Sequence, residues 1–170
     1  MKLEKALHQV WPDFSIEQTA DIVFQAGVYR LNGENGSGKS SFYKKVLLPA
    51  LREDGGFYIV YLEQMMKGQY YALKAHAALS GWQDSLHSQK DCVDYLLYDL
   101  SKALERLQRS IFAIADETSC LNQVWEKLKA LGQDFTLIYS SHLEEELTPD
   151  YQLELITKQS DGSVLYERTL

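Results

Sequence analysis

The chain has 170 residues, of which 45% are hydrophobic and 24% are charged, and this composition is typical of one folded globular domain. It excludes a disordered, collagenous or disulfide-stapled protein, and the apolar stretches are far shorter than a membrane span. The formal net charge of −7 argues against a nucleic-acid partner, because phosphate contacts need a dense surface of Lys and Arg.

Predicted strands and helices alternate along the chain, which is typical of a mostly parallel sheet. Residues 27–32 predict a strand, and a helix is predicted from Lys39 to Leu51, with Pro49 near its end. Gly55-Gly56 is predicted to close the following turn. Residues 57–62 are β-branched and aromatic, and they predict a second buried strand.

The middle of the chain, about residues 65–109, is predicted to be wholly helical, with Ser88 as an N-cap inside it. The apolar residues that recur there at helical spacing are Leu96, Leu97, Leu100, Ala103, Leu104 and Leu107. Two more buried strands are predicted over residues 111–115 and 135–139. A helix around Gln123 to Leu131, capped by Gly132, is predicted between them.

The end of the chain differs in character from the rest. Residues 152–157 and 164–168 flank the turn sequence Ser160-Asp161-Gly162. This pattern predicts a closing antiparallel hairpin. The two cysteines, Cys92 and Cys120, have no metal or redox spacing, which favours a reduced cytoplasmic setting.

A glycine-rich segment follows the first predicted strand and fits the pattern G-x-x-x-x-G-K-[ST]. Its residues are Gly33, Glu34, Asn35, Gly36, Ser37, Gly38, Lys39 and Ser40. Glycines let the backbone wrap closely around phosphates, and successive N–H groups at a helix N-terminus supply a positive concavity. The pattern predicts that Lys39 reaches the β- and γ-phosphates of ATP and that Ser40 binds Mg²⁺.

Polar side chains follow the other predicted strands, at the sheet edge where the glycine-rich loop lies. Asp116 could hold Mg²⁺, directly or through water, and Glu117 could orient or deprotonate an attacking water. Gln64 could reach the metal or that water through its carbonyl oxygen; the alternative is an exposed polar residue after a strand. His142 could hydrogen-bond the γ-phosphate region; the alternative is a helix-capping or surface histidine.

In this order the motifs resemble those of the ATP-binding cassette (ABC) ATPases, over about Val23 to the end of the chain. The segments that carry the resemblance are Leu31–Ser41 for Walker A, Tyr61-Leu62-Glu63-Gln64 for the Q-loop, Asp116-Glu117 for Walker B and Ser140-Ser141-His142-Leu143-Glu144-Glu145 for the switch histidine. The resemblance implies one α/β domain over residues 1–170, with a P-loop NTPase core, a mostly parallel sheet, a reduced helical subdomain and a C-terminal antiparallel hairpin.

The resemblance also implies an ATPase that uses ATP and Mg²⁺. It implies that Gly33 to Ser41 bind the phosphates and that Glu117 is the catalytic base. Gln64 and His142 would sense the γ-phosphate, and Ser40, Gln64 and Asp116 would form the metal site.

As partners, the resemblance implies an ATP-dependent homodimer that sandwiches two ATP molecules and a separate chain, most commonly the membrane domains of a transporter. The expected location is the cytoplasm, peripheral at the inner face of the membrane through that partner. No nucleic-acid partner is expected. The alternatives are a soluble ABC-type ATPase and a nucleotide-dependent regulator that hydrolyses ATP weakly.

Several positions depart from the family pattern or leave it open. After Glu117 the chain lacks the usual proline and has Asn122 in place of the final aspartate. Two segments compete as the signature motif that faces ATP across the dimer, Ser80-Gly81 and Ser88-Gln89, and the remaining alternative is that neither contacts the nucleotide. Trp11 and Phe14 are both candidates to stack on adenine, and both could instead belong to the core.

Overall fold

The structure is a computed structural model that describes residues 1–64, 67–82, 86–104, 109–141, 147–158 and 162–168. The strands are β1 (Lys2–Leu3), β2 (Leu7–Trp11), β3 (Phe14–Gln18), β4 (Ile22–Val23), β5 (Gly27–Gly33), β6 (Phe57–Leu62), β7 (Ser110–Asp116), β8 (Phe135–Ser140), β9 (Tyr151–Lys158) and β10 (Gly162–Arg168). The helices are α1 (Lys39–Phe42), a π-helical segment (Tyr43–Leu47), α2 (Leu48–Asp54), α3 (Lys67–Leu79), α4 (Gln89–Leu104) and α5 (Leu121–Ala130).

The main sheet of the described residues has the strand order β2-β3-β10-β9-β5-β8-β7-β6. The five strands β9, β5, β8, β7 and β6 run parallel to one another. Strand β10 is antiparallel to β9, and β2 is antiparallel to β3, so antiparallel pairs occur at one side only. The carboxyl ends of β5, β6, β7 and β8 therefore meet at one edge, where open α/β sheets bind ligands.

Helices cover both faces of the sheet, and successive residues of β7 show this directly. Phe112 and Ile114 pack in the cluster that contains the helical run after β5. Ile111 and Ala113 point to the other face and pack in the cluster that contains α4 and α5. Because both faces are buried, β7 is apolar at every position from Ile111 to Ala115.

The helical run after the glycine-rich loop is longer than predicted. It was expected to end at Leu51, but it continues to Asp54, where Gly55 adopts a left-handed conformation with φ 70°. Its middle is a π-helical segment in which the Leu48 N–H donates to the Tyr43 carbonyl, five residues earlier. Pro49 has no N–H to donate, and it is tolerated because it lies in the first turn after this segment.

The prediction that residues 65–109 are wholly helical was wrong, because residues 80–82 and 86–88 lie outside the two helices. Ser88 is the N-cap of α4, as predicted: its Oγ accepts a hydrogen bond from the Asp91 N–H at 3.2 Å. The Asp91 carboxylate accepts one from the Ser88 N–H at 2.8 Å, which completes a capping box. Leu107 lies outside the described residues.

The remaining predicted elements are confirmed with small shifts of their ends. Gly132 has φ 64°, and its N–H donates to the Lys129 carbonyl at 3.1 Å, which closes α5. Strands β9 and β10 form the predicted closing hairpin, although Ser160 and Asp161 lie outside the described residues. In the part of the chain that the structure describes, no helix is long and apolar enough to cross a membrane.

The N-terminal strands β1 to β4 have no counterpart among the predicted elements. Strands β2 and β3 extend the main sheet beyond β10, with β10 and β3 running parallel. Strands β1 and β4 pair with each other in a separate two-stranded sheet. As a result, Trp11 and Phe14 approach the glycine-rich loop from strands that flank a tight turn.

Candidate phosphate-binding and catalytic site

The loop from Gly33 to Gly38 follows β5 directly and is packed closely from below. A Cβ on Gly33, whose φ is 154°, would come within 2.9 Å of the Leu155 carbonyl oxygen. A Cβ on Gly38, whose φ is 94°, would come within 2.9 Å of the Phe14 ring. Both positions therefore need glycine for its backbone freedom and for its lack of a side chain.

Lys39 begins the helix after the loop, and its side chain is 8% exposed. The ammonium group donates to the carbonyl oxygens of Gly33 at 2.9 Å and Glu34 at 3.2 Å. It also lies 3.4 Å from a carboxylate oxygen of Glu117. These contacts hold the positive charge over the loop.

A cavity of about 450 Å³ opens above this loop. The residues that line it are Asn35, Gly36, Gly38, Lys39, Ser40, Ser41, Gln64 and Glu117. The structure therefore brings together side chains from the ends of β5, β6 and β7, which are far apart in sequence.

Asp116 is the last residue of β7, and only 2% of it is exposed. Ser140 donates a hydrogen bond to one of its carboxylate oxygens at 3.3 Å, and the Tyr61 hydroxyl donates to the other at 3.4 Å. Burial raises the pKa of Asp116, while hydrogen bonds from Ser40 and Ser140 act in the opposite direction. The aspartate predicted to bind Mg²⁺ is thus oriented by hydroxyl groups from three other elements.

Glu117 has φ 50° and is the non-glycine residue with a positive φ among those that the structure describes. Such a conformation costs free energy and concentrates at functional sites. The Gln64 amide nitrogen donates to one carboxylate oxygen of Glu117 at 2.6 Å, and Lys39 lies near the other. Two cavity-lining residues therefore fix the direction of this carboxylate.

The two adenine-stacking candidates have different environments. Phe14 is half-buried and forms the floor under Gly38. Trp11 is 49% exposed, its indole N–H donates to the Ser41 hydroxyl at 3.1 Å, and Lys45 lies 4.7 Å from its ring centroid. Of the two, Trp11 presents an aromatic face at the surface beside the loop.

Both signature candidates are engaged within their own chain. Ser80 lies at the C-terminal end of α3, where its hydroxyl donates to the Ala77 carbonyl at 3.0 Å and hydrogen-bonds the Tyr95 hydroxyl at 2.9 Å. Trp82 packs against Tyr95, with ring centroids 5.5 Å apart. Ser88 is held in the capping box of α4, where a carboxylate already occupies the helix N-terminus.

His142 lies outside the described residues, so its predicted role stays a prediction. The preceding Ser140 ends β8 and contacts Asp116, a link that was not predicted. Tyr61 was also missed, although it lies in the Q-loop segment; burial raises the pKa of its phenol. The sequence pattern of β6 does not indicate that the Tyr61 hydroxyl contacts Asp116 on β7.

No protein-family model matches the sequence, and a comparison with curated proteins gives no match. Among solved structures, the chain is similar to one in the crystal structure of the complex of archaeal ribosomal stalk protein aP1 and archaeal ribosome recycling factor aABCE1. That similarity has a TM-score of 0.58 at 13% identity, and it covers 97% of this chain and 38% of the other. The present chain therefore spans well under half of that relative's length.

Two weaker similarities are to the Aeropyrum pernix Orc1 protein in complex with DNA and to Trip13 from Rhizobiales. The first has a TM-score of 0.43 at 18% identity and covers 73% of this chain and 36% of the other. The second has a TM-score of 0.36 at 16% identity and covers 72% of this chain and 40% of the other.

The fold itself is that of a P-loop NTPase. A mostly parallel sheet is covered by helices on both faces, and the strand–loop–helix unit from β5 carries the G-x-x-x-x-G-K-[ST] sequence at the carboxyl edge of the sheet. The predicted α/β class, the mostly parallel sheet and the C-terminal antiparallel hairpin are confirmed.

Proposed function

We propose that the chain binds Mg-ATP in the cavity above the glycine-rich loop and hydrolyses it, as an ATPase of the ABC type. The observation that carries this proposal is the convergence of Lys39, Gln64 and Glu117 on one cavity above that loop. Its volume of about 450 Å³ is in the usual range for small-molecule sites.

Gly38, Lys39 and Ser40 line the cavity, and the phosphates would bind to the backbone N–H groups of the loop and of this first helical turn. The Lys39 ammonium is already held over the loop by two carbonyl oxygens, so little conformational entropy is lost when a phosphate joins them. The ammonium also contacts the Glu117 carboxylate, so a phosphate would take the place of that carboxylate as its anionic partner.

Ser40, Gln64 and Glu117 bring side-chain oxygens to the cavity, and the buried Asp116 carboxylate is hydrogen-bonded to Ser40 behind this lining. Mg²⁺ prefers carboxylate and hydroxyl oxygens together with substrate phosphates. Asp116 and Ser40 would hold the ion, and Gln64 would approach it through its carbonyl oxygen. The ion would neutralise charge that develops on the phosphates. Tyr61 and Ser140 would keep the Asp116 carboxylate in one orientation.

Glu117 would act as the general base. In the structure its carboxylate contacts Lys39 and Gln64. When the γ-phosphate binds, Lys39 turns from the carboxylate to the phosphate, and the freed oxygen can accept a proton from the attacking water. Gln64 then holds the remaining oxygen, which keeps the base aimed at that water.

We further propose that two copies sandwich ATP and that turnover drives a separate chain, most commonly the membrane domains of a transporter. The homodimer, the membrane partner and a peripheral location at the membrane all rest on the resemblance to the family.

A second function, a nucleotide-dependent regulator with slow turnover, is favoured by one observation. Ser80 and Ser88, the two candidates for facing ATP across a dimer, are both hydrogen-bonded inside their own chain. A chain whose serines do not contact the ATP of a second copy still binds ATP with its own loop, but the second copy contributes less to hydrolysis.

Phosphate release from Mg-ATP tests the proposal. Wild type should turn over, and Lys39→Ala should abolish turnover, because the ammonium that reaches the β- and γ-phosphates is gone. Lys127→Ala is the matched control: it removes a lysine whose salt bridge to Asp94 lies on the α4–α5 surface. Equal turnover in the two variants would contradict the proposal.

The dimer has its own test, which is light scattering of Glu117→Gln with saturating Mg-ATP. The ABC-type sandwich predicts a doubling of mass when ATP is added. A mass that stays monomeric would instead favour the regulator.

A further inference from the structure

The C-terminal hairpin contacts the glycine-rich loop through one buried serine. Ser163, near the start of β10, is 1% exposed. Its hydroxyl donates to the backbone carbonyl of Ser37 at 2.6 Å, although the two residues are 126 positions apart in sequence. Ser37 is itself fully buried, so this hydrogen bond lies below the loop.

The bond fixes the direction of one peptide group. In a trans peptide the C=O and the next N–H point in opposite directions. Because the Ser37 carbonyl points down to Ser163, the Gly38 N–H points up. Gly38 lines the cavity, so its N–H is directed to where the phosphates would bind.

The position of Ser163 is set by its neighbour in β10. A Cβ on Gly162 would come within 2.5 Å of the Ser15 carbonyl oxygen, so glycine is needed for β10 to lie this close to β3. This register pairs Ser163 with Ile16 on β3. On the same side of the sheet, the Phe14 ring supports Gly38 from below.

We propose that Ser163 is a positioning residue for phosphate binding: it holds the Ser37–Gly38 peptide with its N–H directed into the cavity. A reversed peptide would direct a carbonyl oxygen at the phosphates, replacing a donor with an acceptor. The inference rests on the proposed function, and it adds the C-terminal hairpin to the elements that set affinity for ATP.

The test compares Ser163→Ala with Thr136→Val. Thr136 is also buried and donates a hydroxyl hydrogen bond to a backbone carbonyl, that of Gln25 at 2.9 Å, at the opposite edge of the sheet. Each variant loses one such bond, so the two should lose similar thermal stability. Only Ser163→Ala should weaken Mg-ATP binding, by about fivefold, which corresponds to the usual net effect of one hydrogen bond.

Two further measurements keep the outcome clear. The ¹⁵N and ¹H shifts of the Gly38 amide in the nucleotide-free protein should move in Ser163→Ala and not in Thr136→Val. If Ser163→Ala does not fold, Ser163→Cys keeps the volume and a weak donor, and it should bind with intermediate affinity.

The outcomes separate this inference from the proposed function. Wild type that binds no Mg-ATP overturns the proposed function, while the Gly38 shifts still test the peptide orientation without nucleotide. Wild type that binds, together with a Ser163→Ala variant of equal affinity and unchanged Gly38 shifts, overturns the role of Ser163.

Discussion

The proposed function makes Glu117 and the phosphates of ATP competitors for the Lys39 ammonium. The Glu117 carboxylate lies 3.4 Å from the ammonium nitrogen, and both side chains are largely buried, at 12% and 8% exposed. ATP must displace this contact and bring its own negative charge close to the same carboxylate. Glu117→Gln keeps the shape of the side chain but removes its charge, so it should tighten ATP binding while it stops hydrolysis.

The size of this effect can be worked from the contact. Hydrogen bonds to charged groups contribute about 1.5–3 kcal/mol, and about 1.4 kcal/mol corresponds to a tenfold change in affinity. The separation of 3.4 Å between the ammonium nitrogen and the carboxylate oxygen is long for a charge-assisted bond, so we expect the contact to contribute at the lower end of this energy range. We therefore expect Kd for Mg-ATP to fall by about tenfold.

Isothermal titration calorimetry on wild type, Glu117→Gln and Glu63→Gln measures this change. Glu63→Gln is the matched control, because it makes the same change in net charge beside the site; Glu63 pairs with Lys44 at 3.3 Å. The control should keep the affinity and the turnover of wild type. If Glu117→Gln bound ATP with the same affinity as the control, the competition for Lys39 would be refuted. If Glu117→Gln still hydrolysed ATP, the role of Glu117 as the general base would be refuted.

Three other substitutions probe the surroundings of the loop. Tyr61→Phe should raise the Mg²⁺ concentration needed for half-maximal turnover a few-fold, whereas Tyr58→Phe, which loses a comparable hydroxyl–carboxylate bond on the same strand, should not. Because burial raises the pKa of Asp116, its ionised form costs stability above the ordinary carboxyl pKa. Asp116→Asn should thus raise the melting temperature at neutral pH, and this gain should vanish below about pH 4, where both states of the wild-type carboxyl are protonated. Gly38→Ala should abolish ATP binding because its Cβ meets an aromatic ring, while Gly36→Ala, with a similar φ of 83° and open space around it, should bind measurably. The role of Tyr61 would be contradicted if Tyr61→Phe needed no more Mg²⁺ than wild type. The cost of burying the Asp116 charge would be contradicted if Asp116→Asn left the melting temperature unchanged. The close packing at Gly38 would be contradicted if Gly38→Ala and Gly36→Ala bound ATP equally well.

The candidate site was predictable where it depends on local sequence. The loop from Gly33 to Ser40 is recognisable by residue type, and apolar runs at residues 57–62 and 111–115 precede Gln64 and Glu117. Parallel strands bring their carboxyl ends to one edge, so the approach of Gln64 and Glu117 follows from topology. That the Gln64 amide nitrogen donates to a Glu117 carboxylate oxygen at 2.6 Å could be learned only from the structure.

The missed features depend on contacts that no local pattern encodes. Ser163 and Ser37 are far apart in sequence, and both are ordinary small polar residues. The N-terminal hairpin, in contrast, was predictable from the sequence, because Pro12-Asp13 is a common turn sequence and separates the two five-residue strands β2 and β3.

The error in the middle of the chain has a different cause. Helical periodicity on both sides of a break looks the same as an unbroken helix. Gly81, with φ 77°, ends the regular part after α3, and the capping box at Ser88 starts α4. A glycine marks the end of one helix and an N-cap serine marks the start of the next. With the two residues this close together, these signals should have been preferred to the apolar spacing as evidence for where the helices lie.

A calorimetric titration of the wild-type chain with ATP and magnesium tests the central claim most directly. One molecule of ATP should bind per chain, with a heat that disappears in Lys39→Ala. A wild-type chain that gives no heat at millimolar nucleotide would contradict phosphate binding by the loop, and with it the catalytic roles that depend on that loop.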